Sequence, residues 1–565
     1  MQTDLVRGID LAYRERTDPI VFALTGRTGS GCTTAASTLT RPFAEIALHD
    51  GDSADVETRK LEIAVNFARA QWVPFATLTV SSVIFSFLMQ IPWENLEKFL
   101  VEEKVSDKAR QEFKDNIESL VKDSRQRAFA NSIGGAASID EKVVAWTFFS
   151  GELHARAQQT KRVLAGAYPP LFQKLGDNIR FSGAPLDATV RPDNLFGLME
   201  RVRTLLDCAI AFQHRTPGQP ARIVIDAIRN PLELVYLRRH IAGLYVLAVT
   251  TDDETRRQRL VESGLNKREI EELDRKEYPE KKHLDSYQSF VSQNLKDCIQ
   301  KSDIFIANPG VPGTLVSTVK YMNLQLVRYV ALALRPGLIT PTRDERCMQI
   351  AFVSKLNSGC ISRQVGAVVT DHEHSIHAIG WNDTPKGQTT CLLRDVNDLL
   401  SGHDDVSFSD FEKNDPKLRA HLELKFKGRE ALREASGLAC PFCFRDAFNT
   451  IMKEKNQVHT RSLHAEENAF LQVAKRGSSG IGKGVLYTTA SPCELCSKKA
   501  YQLGIREVVY VDPYPGISMT HVLASGPKEV QPKLRLFGGA VGHAYHRLYE
   551  ALLSIKDEYT ARLSG

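Results

Sequence analysis

The sequence has no long run of lysine and arginine, and its charges of opposite sign nearly balance. Its 73 basic and 68 acidic residues leave a net charge of +5, which is small for a chain of 565 residues. Proteins that bind nucleic acid usually concentrate basic residues in a patch or a tract. The charge pattern therefore does not predict nucleic-acid binding, and small anionic ligands fit it equally well.

The marks of secretion and of membrane insertion are also missing. The ten cysteines do not follow the spacing of a disulfide framework, and the start, Met1-Gln2-Thr3-Asp4, is not a basic-then-apolar signal sequence. One apolar stretch runs from Trp72 to Trp93, but Pro74, Pro92 and several hydroxyl residues interrupt it. We interpret this stretch as a buried strand and helix, and we expect a cytoplasmic protein with no membrane partner.

What the sequence does have is length and a globular composition, with 42% hydrophobic and 25% charged residues. A chain of this size exceeds what one hydrophobic core usually holds, so we expect two or more domains. In the first half, short apolar runs typical of buried strands alternate with helical patterns. This alternation predicts the α/β fold class with a mostly parallel sheet.

A pair of short motifs has the pattern of a catalytic zinc site. His464-Ala465-Glu466 is followed further along by Pro492-Cys493-Glu494-Leu495-Cys496. One imidazole and two thiolates leave a fourth position open for water, which distinguishes catalytic zinc from closed structural zinc. The combination H-x-E with P-C-x-x-C is the signature of zinc deaminases. We predict that His464, Cys493 and Cys496 bind Zn2+.

Glu466 is the candidate general acid and base at this site. It follows a predicted ligand by two residues at the start of a helix, so its carboxylate can reach the metal's open side without binding the metal. Pro492 suits the first position of the next helix, whose N-terminus would favour both thiolates. The expected reaction is hydrolytic deamination of a nucleobase, with Glu466 moving protons from the water to the base and to the leaving amine.

A third motif has the spacing of a phosphate-binding loop and consists of Gly26, Arg27, Thr28, Gly29, Ser30, Gly31, Cys32, Thr33 and Thr34. Glycines let backbone N–H groups curl round a phosphate, and the N-terminus of the following helix adds its dipole. Cys32 stands where the usual pattern has lysine, whereas Thr33 keeps the hydroxyl that contacts Mg2+. We predict that the loop binds a nucleoside triphosphate but transfers phosphate poorly, if at all.

The segment 15–330 around this loop resembles the nucleoside monophosphate kinase group of P-loop folds, including dephospho-coenzyme A kinase. Asp226 ends an apolar strand and is suited to hold Mg2+ through water. The resemblance implies a parallel-sheet domain, and we interpret residues of about 94–145 as a solvated helical insertion. A degenerate kinase that senses a nucleotide and an active kinase both fit this pattern, but the missing lysine favours the sensor.

The turn-rich segment 331–342 is the predicted domain boundary. After it come a helix, a strand with S-x-Q-V-G-A-V-V, a strand that ends in G-W-N-D-x-P-x-G, and then the zinc motif. This order resembles the cytidine and deoxycytidylate deaminase superfamily, so residues 343–565 are expected to form a three-layer α/β/α domain. The resemblance implies that Asn382 contacts the substrate and that Tyr514 lies where substrate preference varies. Asn382 also fits a simpler role as the cap of its own loop.

Two questions stay open within this superfamily. Transfer-RNA adenosine deaminases share G-W-N and H-A-E but hold them close together, whereas an insertion of about 391–460 separates them here. We therefore favour a free nucleotide as substrate, with a tRNA or single-stranded DNA deaminase and a bifunctional dNMP kinase and deaminase as alternatives. The insertion contains Cys391, Cys440 and Cys443. These cysteines fit a second, structural Zn2+, which some deoxycytidylate deaminases have, or ordinary reduced thiols.

The order of the two halves, and the closing segment 534–549, resemble the bacterial anti-phage cytidine deaminases. In that family a P-loop domain precedes a deoxycytidylate deaminase domain. The resemblance implies deamination of dCTP and dCMP, which depletes the nucleotide pool of a phage, and inhibition by a cognate small RNA. Deaminases of this type commonly assemble, so we also expect a homo-oligomer.

Overall fold

The computed structural model describes most of the chain, in residues 4–48, 55–135, 137–277, 286–310, 315–477, 481–512 and 518–564. The chain divides into two compact units. Unit 1 consists of Met1–Thr340 and His543–Gly565, and unit 2 consists of Pro341–Gly542. The boundary after Thr340 falls within the predicted linker 331–342. None of the described helices is both long and apolar enough to cross a bilayer.

Unit 1 contains a parallel sheet of buried, β-branched-rich strands. The strands are β1 (Ile20–Thr25), β2 (Ala76–Thr79), β3 (Arg222–Asp226), β4 (Leu244–Thr250) and β5 (Ile304–Ala307). They pair in the order β5-β4-β1-β3-β2, and each pairing is parallel. Since the strands are parallel, the loops that follow them meet at one edge of the sheet. The loop that starts at Gly26 follows β1 at that edge, and Asp226 ends β3 beside it.

The helices between these strands are α1 (Asp4–Thr17), α2 (Cys32–Leu39), α3 (Val56–Gln71), α4 (Val80–Leu88), α5 (Trp93–Glu102), α6 (Asp107–Val121), α7 (Gln126–Ile133), α8 (Ile139–Phe148), α9 (His154–Leu164), α10 (Tyr168–Ser182), α11 (Gly197–His214), α12 (Pro231–His240), α13 (Asp253–Glu262), α14 (Lys267–Glu277), α15 (Tyr287–Val291), α16 (Leu295–Gln300) and α17 (Leu315–Leu334). The stretch that resembled a membrane span forms β2 and α4, a strand followed by a buried helix.

The helical segment after α4 differs from the predicted solvated insertion of about 94–145. Helices continue from α5 to the end of α10, and their apolar side chains join the buried cluster of the sheet. Phe113 and Trp146 belong to the same cluster as Val21 of β1 and Ile223 of β3. The segment is therefore part of the core of unit 1, because one face of each charged-looking helix carries large apolar residues.

Unit 2 is a mixed sheet between helices. Its strands are β6 (Gly366–Thr370), β7 (Ile376–Trp381), β8 (Val485–Ala490), β9 (Glu507–Asp512), β10 (Lys533–Leu536) and β11 (Gly539–Ala540). Five of them form a sheet in the order β10-β9-β8-β6-β7, in which β6 runs antiparallel to both neighbours. The helices are α18 (Arg343–Ser354), α19 (Val396–Ser401), α20 (Asp410–Asn414), α21 (Pro416–Lys425), α22 (Arg429–Ser436), α23 (Phe444–Met452), α24 (Ala465–Arg476) and α25 (Glu494–Gln502).

Successive side chains of the strands in unit 2 point to opposite faces of the sheet, and helices cover both faces. Ala367 and Leu486 share an apolar cluster with Ala469 of α24 and Ala500 of α25. Tyr487, which points to the opposite face, donates a hydrogen bond of 2.8 Å to Asp344 of α18. Helices on both faces make three layers. Helices α19 to α23 form the insertion and have an apolar cluster of their own.

The end of the chain differs from the expectation that the second domain runs to residue 565. Helices α26 (Gly542–Tyr549) and α27 (Ile555–Ser564) follow unit 2, and residues 543–565 belong to unit 1. Glu558 of α27 accepts a hydrogen bond of 3.0 Å from Tyr13 of α1, and Arg562 pairs with Asp10 at 2.8 Å. The two ends of the chain are therefore packed together within unit 1.

Candidate metal centre and phosphate-binding loop

Two helix starts bring one histidine and two cysteines of unit 2 together. His464 is the N-cap of α24, and Cys493 is the N-cap of α25, with Cys496 one turn further on. His464 Nδ1 lies 3.2 Å from Cys493 Sγ and 3.5 Å from Cys496 Sγ. Within the described part of the chain, these three residues form the one group of three His, Cys or acidic side chains at metal-binding distance.

The start of α25 differs in detail from the prediction that Pro492 is its first helical residue. The helix begins at Glu494, and Cys493 is extended, with φ −71° and ψ 174°. Pro492 therefore lies one residue before the N-cap, and its carbonyl accepts a hydrogen bond of 2.7 Å from Ser518. This turn directs both sulfurs toward the imidazole of His464.

The donor set fits a zinc ion. Zn–S bonds of about 2.3 Å and Zn–N bonds of about 2.05 Å at a tetrahedral angle separate nitrogen and sulfur by about 3.6 Å. The two observed nitrogen-to-sulfur distances, 3.2 and 3.5 Å, are close to that value. Hydrogen bonds from Cys496 and His464 hold the pKa of the Cys493 thiol well below its usual range, so this sulfur favours the thiolate form that binds metal.

Glu466 lies beside this cluster in the first turn of α24 and is 4% exposed. Burial raises the pKa of its carboxyl. The hydroxyl of Thr488, on β8, has two acceptors, the carbonyl of Ala490 at 2.7 Å and Glu466 Oε1 at 3.3 Å. A buried carboxyl with a raised pKa can exchange protons near neutral pH.

Helix α24 is held against β7 by close backbone packing. A Cβ atom on Gly380 would lie 2.1 Å from the carbonyl oxygen of Ala465, so only glycine allows this approach. The side chains of Asn468 and Gln472 donate hydrogen bonds of 3.0 and 2.8 Å to carbonyls of β7. These contacts fix the helix start that carries His464 and Glu466. Gly380 belongs to the G-W-N motif of the sequence, but that motif did not predict its packing against α24.

The two residues predicted to contact the substrate are Asn382 and Tyr514. Asn382 is 8% exposed, and its side chain bonds to backbone. Its Oδ1 accepts from the amide of Val365 at 2.6 Å, and its Nδ2 donates to the carbonyl of Arg363 at 2.6 Å. This is the loop-capping arrangement that the sequence left open, and a substrate contact by Asn382 stays a prediction. Tyr514 lies outside the described residues.

The structure does not bring Cys391, Cys440 and Cys443 within metal-binding distance of one another, and a second, structural zinc stays a prediction. Cys391 and Cys443 line a small cavity together with Cys360, which the sequence did not single out. Cys440 does not line this cavity, and its carbonyl accepts a hydrogen bond of 3.0 Å from the amide of Val396. Cys440 is held within the helical insertion because this bond ties its backbone to the start of α19.

The loop of unit 1 surrounds a cavity of about 390 Å3. The cavity is lined by Gly26, Arg27, Thr28, Gly29, Gly31, Cys32, Thr33, Thr34, Asp226, Ala227, Arg229, Arg259, Asn308 and Val319. Ser30 is buried, and its carbonyl accepts a hydrogen bond of 2.7 Å from Asn308. Gly31 has φ 110°, and a Cβ there would lie 2.5 Å from the Asn308 amide, so this position requires glycine.

Cys32 adds no positive charge to this cavity. Burial and the nearby Asp226 carboxylate raise the pKa of the thiol to about 12, so it is neutral at pH 7. Burial also raises the pKa of Asp226, against the effect of a hydrogen bond from Thr33. The cations at the cavity are instead arginines, of which Arg229 and Arg259 lie far from the loop in the sequence.

Comparison with known proteins matches unit 2. Residues 341–512 match the family model described as "Cytidine and deoxycytidylate deaminase zinc-binding region". The chain is 30% identical over 172 residues to the deoxycytidylate deaminase of Enterobacteria phage T4, which is 30% of this chain and 76% of the phage protein.

Two further matches are of similar extent. The deoxycytidylate deaminase of Schizosaccharomyces pombe is 29% identical over 182 residues, which is 32% of this chain, and the chain spans only 40% of that relative. The crystal structure of dCMP deaminase from the cyanophage S-TIM5 in complex with dCMP and dUMP covers 35% of this chain and 99% of that chain, with 24% identity and a TM-score of 0.21.

Proposed function

This chain belongs to the cytidine and deoxycytidylate deaminase family and is a hydrolytic deaminase, and we propose that its substrates are the deoxycytidine nucleotides dCMP or dCTP. The products are the corresponding deoxyuridine nucleotide and ammonia. The observation that carries the proposal is the cluster of His464, Cys493 and Cys496 with the buried Glu466 beside it, inside the region that matches the family.

His464, Cys493 and Cys496 would hold the zinc ion, since their donor atoms have the chemistry and the spacing that it requires. Bound zinc lowers the pKa of a coordinated water toward neutrality. Glu466 takes a proton from the attacking water and passes protons to N3 and to the departing amino group. Water adds to C4 and ammonia leaves, so cytosine becomes uracil. The hydroxyl of Thr488, which the carbonyl of Ala490 shares, helps to orient the carboxylate of Glu466 during these transfers.

We further propose that the loop of unit 1 binds a nucleoside triphosphate and regulates the deaminase. The N–H groups of Cys32, Thr33 and Thr34 in the first turn of α2 have no acceptor within their own helix and suit phosphate oxygens. The hydroxyl of Thr33 would contact Mg2+, and Asp226 would hold the ion through water. The neutral thiol of Cys32 favours a sensor over a bifunctional dNMP kinase and deaminase.

The biological part of the proposal depends on the resemblance to bacterial anti-phage deaminases. In that setting, conversion of deoxycytidine nucleotides would deplete the pool that a replicating phage needs. The cytoplasmic location, the homo-oligomer, the inhibitory small RNA and the structural second zinc remain predictions of the same kind.

The direct test incubates purified full-length protein with dCTP, dCMP, CTP and dATP and separates the products by chromatography. We expect conversion of the deoxycytidine nucleotides alone, and the ratio of dCTP to dCMP turnover identifies the substrate. Glu466→Gln should lower kcat by at least about a hundredfold and leave the zinc content unchanged. Glu467→Gln is the matched control, because Glu467 lies in the same turn but pairs with Lys499.

Wild-type turnover by Glu466→Gln would contradict the mechanism. Deamination of dATP, or activity only on tRNA or single-stranded DNA, would contradict the choice of a free deoxycytidine nucleotide. Activity that requires added ATP or GTP would support regulation through unit 1, and transfer of phosphate from ATP to dCMP would support the bifunctional alternative.

A further inference from the structure

The phosphate-binding loop of unit 1 is in contact with a buried carboxylate. Glu277, the last residue of α14, has a side chain that is 0% exposed. Both of its oxygens accept from the backbone amide of Thr28, each at 3.2 Å, and the hydroxyl of Thr28 also donates to Oε1. An anion therefore already occupies donors of the loop, in the manner of a bound phosphate.

Arg229 is the cation that balances this carboxylate. Its Nη1 lies 3.0 Å from Glu277 Oε1, and its Nη2 donates to the hydroxyl of Thr28 at 3.3 Å. Arg229 also lines the cavity that Cys32 lines. A guanidinium near position 32 can supply the charge that lysine supplies in other loops of this kind.

Ion pairs join the same helix to the loop at a second point. Arg27 of the loop pairs with Asp274 of α14 at 2.6 Å and with Asp253 of α13 at 3.0 Å. Arg256, which is fully buried, pairs with the same two carboxylates and points its Nη1 toward the carbonyl of Thr28 at 3.4 Å. Helix α14 is thus attached to the loop through charges of both signs.

We propose that the Glu277 carboxylate blocks the loop in the absence of nucleotide and that a nucleoside triphosphate must displace this carboxylate in order to bind. We call this role of Glu277 the latch. The terminal phosphate takes the place of the carboxylate at Thr28, and Arg229 moves from Glu277 to that phosphate. Both anions cannot occupy the site together, because like charges in a desolvated pocket repel strongly. The proposal rests on the proposed nucleotide site and adds that the site distinguishes triphosphates from diphosphates and that binding releases α14.

The test measures the affinity of the full-length protein for MgATP, MgADP, MgGTP and MgGDP by calorimetry. Glu277→Gln should bind a triphosphate at least about tenfold more tightly than the wild type, because no carboxylate has to leave the loop. Glu271→Gln is the matched control, since it removes the same charge from an exposed position of α14. It should bind like the wild type.

Arg229 is tested in the Glu277→Gln background, where its removal does not strand a buried carboxylate. Arg229→Gln should abolish the preference for triphosphate over diphosphate, and Arg229→Lys should restore part of it. Amide hydrogen exchange in residues 267–277 should rise when a triphosphate binds to the wild type, and it should not rise with a diphosphate.

The outcomes separate the latch from the nucleotide site. If Glu277→Gln binds triphosphate no more tightly than Glu271→Gln, or more weakly, the latch is wrong and the nucleotide site stands. If neither the wild type nor Glu277→Gln binds any of the four nucleotides, the proposed nucleotide site is wrong, and the proposed latch is then wrong as well.

Discussion

Glu466 and Glu467 are neighbours in sequence, yet their surroundings suit them to different work. Glu466 is buried beside the proposed zinc ligands, and burial raises the pKa of its carboxyl. Glu467 is half-buried, accepts a hydrogen bond from the amide of His464 at 3.4 Å and pairs with Lys499. Glu466, which we propose transfers protons, and Glu467, which caps the helix, are therefore neighbours in the first turn of α24.

Thr488→Val should slow the reaction without loss of metal. The hydroxyl of Thr488 shares its one proton between the carbonyl of Ala490 at 2.7 Å and Glu466 Oε1 at 3.3 Å, so Glu466 receives the weaker interaction and we expect kcat to fall by no more than about tenfold. Steady-state kinetics and zinc analysis test this. Thr370→Val is the control, because Thr370 is equally buried in the same sheet and donates to the carbonyl of Asp371. Equal effects of the two changes on kcat would refute the orienting role.

At the scale of residues, the sequence predicts the members of a short motif better than it predicts the distant residues that a side chain contacts. His464, Cys493 and Cys496 could be paired from their spacing, because each ligand lies at a helix start whose geometry is local. Glu277 could not be connected with Thr28, since nothing in a charged helix indicates which distant loop it will meet. Cys360 was likewise unpredictable as a neighbour of Cys391, because only the folded insertion brings them to one cavity.

At the scale of secondary-structure elements, the contact between α24 and β7 fixes the position of the candidate metal centre. Glycine at position 380 removes a side chain that would collide with backbone atoms of the helix, at 2.1 Å from the carbonyl of Ala465 and 2.6 Å from the amide of Ala469. Neither backbone atom can rotate away. Helix and strand therefore approach more closely than any other residue type would permit.

Gly380→Ala should damage stability and activity together. The added methyl group forces α24 away from the sheet, and overpacking of this kind costs about 1–3 kcal/mol. We expect a lower urea midpoint and a reduced kcat, since α24 carries His464 and Glu466. The control is Gly482→Ala, because a Cβ at Gly482 would meet no atom within 4 Å. An unchanged urea midpoint in Gly380→Ala would show that the helix tolerates the displacement.

Element types were predictable where the pattern is local, and element partners were not. Apolar runs bounded by turn residues predicted β1, β3 and β4, because a buried parallel strand needs little else. The helices from α5 to α8 were expected to be solvated, since their many charges hide one apolar stripe on each. Residues 543–565 were expected to belong to the second domain, because a helical pattern does not say which surface it covers.

At the scale of the whole molecule, the first and the last helix of the chain, α1 and α27, pack together within unit 1. Glu558 is 2% exposed and bonds to Tyr13 at 3.0 Å, to Arg335 at 2.5 Å and to Arg562 at 2.8 Å. Burial alone would raise the pKa of the Glu558 carboxyl, but the hydrogen bonds from Arg335, Arg562 and Tyr13 outweigh it and hold the pKa below its ordinary value. One ionised side chain therefore ties α27 both to α1 and to the end of α17.

Glu558→Gln should lower the free energy of unfolding by about 1.5–3 kcal/mol at neutral pH, because it removes the buried carboxylate that the half-buried Arg335 and Arg562 share. A carboxyl whose pKa is lowered by folding contributes stability above its unfolded pKa and loses it as pH falls through the folded pKa. The difference between mutant and wild type should therefore shrink below about pH 4.5. Urea titrations between pH 3 and 8 test this, with exposed Glu550→Gln as control. A destabilisation that is the same at every pH would show that Glu558 acts through packing and not through its charge.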